Sequence, residues 1–138
     1  MCRKAYRLYL PLFLLHLTLA ANAADDYLSP AVSSADLLAL LGTPQAPQVI
    51  DLRAPAEFGA GHVPGAVNIP LQDLEDRLGE VGNDNGVLIY CINGSRTRQA
   101  EPVLYGNAID KVYHLDGTFQ AWLQGKYPVE KGGVRKSW

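Results

Sequence analysis

The sequence predicts an α/β protein, a single domain with a five-stranded parallel sheet flanked by helices on both faces. Three observations lead there. Short apolar runs alternate along the chain with segments of helical period. Those runs are apolar on both faces, as strands are when helices cover both sides of a parallel sheet. The 138 residues, 48% of them hydrophobic and 19% charged, suffice for one core and leave no room for a second. No internal repeat or low-complexity tract interrupts the pattern.

The elements follow in order. Tyr27-Leu28 reads as a short first strand. Ser33 or Ser34 caps a helix over Asp36 to Leu41 that stops at Gly42 and Pro44. Val49-Ile50-Asp51-Leu52 is the second strand, Ala54 to Gly59 suits a short helix, and the glycines and proline of Gly61-His62-Val63-Pro64-Gly65 force a loop before Ala66-Val67-Asn68-Ile69. Leu71, Leu74 and Leu78, at i, i+3 and i+7, predict a third helix. Gly86-Val87-Leu88-Ile89-Tyr90 is a strand, followed by a helix from about Ser95 to Tyr105 in which Pro102 predicts a kink or a late start. Lys111 to Leu115 completes the strands and Phe119 to Leu123 is a last helix.

The two ends stand apart from this pattern. Arg3, Lys4 and Arg7 precede an apolar run from Leu8 to Ala21, and Ala21-Asn22-Ala23 has the small-x-small form of a signal-peptidase site. Residues 1–23 are read as a secretory signal rather than an anchor, because the run falls short of the ~20 residues that cross a bilayer. The domain is then 24–131, and 132–138 reads as a frayed tail. Loss of the signal leaves nine basic against fourteen acidic residues, with no basic stripe for nucleic acid or an anionic membrane surface. It also removes Cys2, so Cys91 is the single thiol of the mature chain and no internal disulfide can form.

Cys91 ends an apolar strand and precedes the turn Ile92-Asn93-Gly94-Ser95-Arg96 and a helix N-terminus. The turn's N–H groups and the positive end of the helix dipole favour an anionic sulfur there. A five-residue turn with a central glycine can curl into a nest that holds an anion, and Arg96 adds fixed positive charge at its rim. Cys91 is therefore the candidate nucleophile, and Ile92 to Arg96 the candidate cradle for a thiolate or a persulfide.

Three separated segments resemble the single-domain rhodaneses. Asp51-Leu52-Arg53, Glu57-Phe58 and Gly61-His62-Val63-Pro64-Gly65-Ala66 look like that family's N-terminal signature; Tyr90 to Arg96 is similar to its active-site loop; His114-Leu115-Asp116-Gly117, Ala121-Trp122 and Gly125-Lys126-Tyr127-Pro128 look like its C-terminal signature. The resemblance implies a sulfurtransferase that takes sulfane sulfur from thiosulfate or a similar donor onto Cys91 and passes it to cyanide or a thiol, with Ile92 to Arg96 holding the persulfide and no cofactor. The alternative it carries is a sulfur carrier or partner-binding module that holds the persulfide for a protein acceptor without free turnover. The spacing from Cys91 to Arg96 is C-x4-R, the sulfurtransferase loop, whereas the phosphatase relatives use C-x5-R and Thr97 stands at that position here. Two positions depart from the family: Ile92 stands where many members carry a cation, which weakens the grip on doubly charged thiosulfate, and Thr118 replaces a second glycine, a local backbone variation of little chemical consequence. The signal and the lone Cys together predict the periplasm of a Gram-negative bacterium.

Other chemistries fit less well. Asp51, Arg53, Glu57 and His62 are read as structural, with Arg53 and Glu57 spaced for an i, i+4 pair. His62 and His114, the two histidines beyond the signal, and a lone Cys do not make a zinc site. Tyr90, Tyr105, Tyr113, Phe119 and Trp122 sit in apolar runs and read as core. Gly59 and Gly61 have the spacing of a fragment of a nucleotide loop but lack its strand-to-helix context.

Overall fold

A computed structural model describes residues 26–133. Five strands, β1 (Ala31–Val32), β2 (Gln48–Asp51), β3 (Val67–Asn68), β4 (Val87–Tyr90) and β5 (Val112–Leu115), form one parallel sheet in the order β1-β5-β4-β2-β3. Four helices accompany them: α1 (Ser34–Leu40), α2 (Pro55–Ala60), α3 (Ser95–Gly106) and α4 (Thr118–Gln124). The proposed signal 1–23 lies outside the described residues, as do residues 134–138 of the tail; Gly132 N–H donates to Gly59 O at 3.0 Å.

Side-chain alternation divides the core in two. Ile50 and Leu52 of the β2 region, with Val87, Ile89 and Cys91 along β4, face α3 and pack on Ala100 and Leu104. Val49, Leu88 and Tyr90 face the other way, against Leu37 of α1 and Phe119 and Trp122 of α4. Both faces of the sheet are thus covered, as the doubly apolar strands require.

Three expectations need correction. Tyr27-Leu28 is not a strand: Leu28 is exposed, and pairing begins at Ala31, opposite His114. The N–H groups of Leu28 and Ser29 go instead to the Glu101 carboxylate, at 2.7 and 3.0 Å. The third helix is replaced by two 3-10 turns, Leu71–Asp73 and Glu75–Glu80, the second broken at Arg77 (φ −117°, ψ 18°). Leu71 and Leu74, three apart, also satisfy a three-residue period, and Leu74 is fully buried. Helix α3 has no late start at Pro102; it begins at Ser95 and runs through the proline to Gly106.

The sheet order creates the crevice. From β2 the chain moves outward to β3, then returns to place β4 on the other side of β2 and continues to β5. The direction reverses between β2 and β4, and at their carboxyl ends the loops part, which is where ligands bind in open α/β sheets. Cys91 directly follows β4 at that point.

Candidate functional site

The loop after β4 wraps around the sulfur. Cys91 is fully buried, with its side chain on the α3 side. Gly94 N–H donates to Sγ at 3.1 Å and the buried Thr97 hydroxyl donates to it at 3.5 Å. Gly94 has φ +87°, a conformation that suits glycine, and a Cβ there would collide with the Tyr27 hydroxyl. The Asn93 side chain accepts from Ser95 N–H at 3.1 Å, which serves one of the unpaired donors at the start of α3. On the far side, Phe119 N–H donates to Cys91 O at 3.0 Å and the Thr118 hydroxyl to Ile92 O at 2.6 Å.

The five predicted loop residues therefore have distinct placements. Gly94 meets the sulfur through its backbone. Ile92 is half-buried and packs against the α4-side cluster, so the position that could have carried a cation carries packing instead. Asn93 and Ser95 are exposed on the rim. The Arg96 guanidinium pairs with Glu57 at 3.0 Å. Beside them Arg98 lies over the Tyr27 ring, 5.2 Å from its centre, and that ring stacks on His114.

The i, i+4 pairing expected of Arg53 and Glu57 is not formed. Arg53 binds the Asp51 carboxylate at 2.6 Å and Gly61 O at 2.6 Å, and lies over Phe119. Burial alone would lower its pKa, but the Asp51 carboxylate outweighs it and holds the guanidinium above its ordinary value. Tyr90 completes this group: its hydroxyl donates to Asp51 at 2.7 Å, and burial, then the Asp51 charge, push it far up. This network, with both Asp51 and Tyr90 buried, props the end of β2 beside the loop and leaves Glu57 free to reach across the crevice. Burial pushes the Glu57 carboxyl up, yet hydrogen bonds from Arg96 and Ala54 N–H and the charges of Arg96 and Arg53 hold it below the usual range. His62 is likewise structural, with Nδ1 2.8 Å from Phe58 O and its ring stacked on Phe58.

Two contacts to the loop were not legible as such. Thr97 carries a hydroxyl to the sulfur from the first turn of α3; the only sequence signal is a small hydroxyl residue six places after the Cys. Thr118 reaches the loop from α4, 26 residues away.

A loop that brings the Gly94 N–H onto a cysteine sulfur at the end of a central parallel strand agrees with the three sequence signatures, and the family model for the rhodanese-like domain matches residues 33–125. The chain belongs to the rhodanese-like domain family. It is 33% identical over 81 residues to a sulfurtransferase of Allochromatium vinosum, covering 59% of this chain and 76% of that one. It is 42% identical over 84 residues to the uncharacterized protein YqhL of Bacillus subtilis, covering 61% of this chain. The chain spans 66% of that relative, just under two thirds of its length. Among solved structures, the thiosulfate sulfurtransferase of Pseudomonas aeruginosa superposes with a TM-score of 0.64 at 27% identity, over 75% of this rhodanese-like chain and 20% of that protein.

Proposed function

We propose that this rhodanese-like protein is a sulfurtransferase that takes sulfane sulfur from thiosulfate or a similar donor through a persulfide on Cys91. The observation that carries the reading is the pair of donors on Sγ: Gly94 N–H within the C-x4-R loop and the hydroxyl of Thr97, which follows it in the first turn of α3. Such donors stabilise negative charge on sulfur. In the first step the Cys91 thiolate attacks the outer sulfur of thiosulfate; the S–S bond of the donor breaks and sulfite leaves with the electron pair. In the second, cyanide or a thiolate attacks the outer sulfur of the persulfide and the Cys91 thiolate leaves. No proton shuttle is needed, in keeping with the structural roles of Asp51, Arg53 and His62. The segment 1–23 would send the protein to the periplasm, its signal removed.

A second reading has its own support. Cys91 is fully buried and the loop's own Arg96 is already paired with Glu57, so that arginine offers a small dianion a neutralised charge. In that reading the persulfide is held for a protein acceptor and free turnover is negligible.

Intact mass of the purified protein before and after thiosulfate, with Cys91→Ser beside it, tests both. The expected result is a gain of one sulfur atom on the wild type alone, discharged by cyanide with release of thiocyanate. A gain that cyanide cannot discharge supports the carrier. No gain with thiosulfate or any other sulfane donor overturns the sulfurtransferase reading.

A further inference from the structure

Thr118 opens α4 with φ +65°. A β-branched residue in the left-handed region is a genuine outlier, because its Cβ crowds the backbone where glycine has none. Such strain persists where neighbours over-determine it, and it gathers at functional sites. Here the neighbours are the loop: the Thr118 hydroxyl donates to Ile92 O at 2.6 Å and accepts from Gln120 N–H at 3.4 Å, while Phe119 N–H donates to Cys91 O at 3.0 Å. The start of α4 thus holds two successive carbonyls of the sulfur-bearing loop.

Those anchors constrain the donors on the opposite side. A trans peptide points its C=O and N–H in opposite directions. With Ile92 C=O turned to Thr118 on the α4 side, the N–H of Asn93 in the same peptide is turned toward the α3 side. That is the side on which the Cys91 side chain packs and Gly94 N–H meets Sγ. We infer that Thr118 is a positioning residue: it fixes the Ile92–Asn93 peptide so that Asn93 N–H joins Gly94 N–H in an anion cradle at Cys91. A glycine at 118 would adopt the same φ without strain but could not hold the carbonyl. The purpose of the cradle rests on the sulfurtransferase reading, whereas its geometry can be tested apart from it.

The test compares wild type, Thr118→Gly and Thr118→Ser in the reduced full-length protein, each carrying Cys2→Ser so that Cys91 is its one thiol. Three quantities are read: the melting midpoint, the rate of thiosulfate-driven persulfidation by intact mass, and the ratio of Cys91 alkylation by anionic iodoacetate to that by neutral iodoacetamide. Thr118→Gly is expected to melt no lower than wild type, since it releases the strained φ. Its alkylation ratio and persulfidation rate are both expected to fall about tenfold, the worth of one hydrogen bond to an anion. Thr118→Ser, which keeps the hydroxyl, is expected to restore both. An unchanged ratio in Thr118→Gly, a Ser variant that falls as far as Gly, or a wild-type Cys91 that resists both reagents overturns the inference. If the wild type accepts no sulfur from any donor while the ratio still falls in Thr118→Gly, the positioning role stands and the sulfurtransferase reading fails.

Discussion

Glu57 spans the crevice as a single side chain: its carboxylate caps α2 by accepting Ala54 N–H at 3.0 Å and also pairs with Arg96 of the loop. Because these partners hold its carboxyl below the ordinary value of 4.5, the ion pair stabilises the fold fully above that value. The contribution is lost as pH falls through the lowered value. Glu57→Gln is therefore expected to melt below wild type near neutral pH, with the gap closing in the acid range beneath 4.5. Thermal melts across that range check it; a gap that persists in acid would mean the contact acts through packing and not charge. Since both side chains are about one-third exposed, solvent screens the pair and the gap is expected to be under about 1 kcal/mol.

At the level of the element, α3 matters most because Gly94, which caps it, and Thr97 of its first turn both donate to the sulfur. It pays for continuing through Pro102, which lacks the N–H that would bond to Arg98 O and crowds that carbonyl. Pro102 is exposed, so no core contact compensates. Pro102→Ala is expected to raise stability by about 1 to 3 kcal/mol, less whatever the freer unfolded chain takes back. Urea denaturation measures the difference directly, and an unchanged midpoint would show that the helix has relaxed around the ring without cost.

Across the whole molecule, the start of the described chain is tied to the site through one buried carboxylate. Glu101 of α3 is fully buried and accepts from Leu28 N–H, Ser29 N–H and the Ser29 hydroxyl. That hydroxyl also lies 3.0 Å from His114 Nδ1 on β5. Tyr27 stacks on the same histidine, and its hydroxyl sits where a side chain on Gly94 would be. Tyr27 therefore lies against the sulfur-bearing loop, while Leu28 and Ser29 are held on Glu101. Glu101→Ala orphans two N–H groups and is expected to cost about 2 to 4 kcal/mol. It should also speed amide exchange at Leu28 and Ser29; wild-type stability and protection in the variant would show that the segment is held by something else.

The local part of this protein is legible in its residues alone. Apolar strands separated by helical segments led to the five-stranded parallel sheet, and a cysteine at a strand end, five residues before an arginine, led to the loop and the family, because periodicity, turn chemistry and spacing act between near neighbours. Contacts between distant segments settle the rest. Tyr27 and Leu28 are apolar enough for a strand, but the backbone donors of Leu28 and Ser29 went to a carboxylate more than 70 residues away. Arg53 and Glu57 have helical spacing, yet each found a partner outside that spacing, Asp51 two residues back and Arg96 on the neighbouring loop. Thr118 reads as a neutral replacement of glycine until its hydroxyl is seen on the Ile92 carbonyl. Which charge meets which, and which backbone sign a residue must bear, depends on groups that only folding brings together.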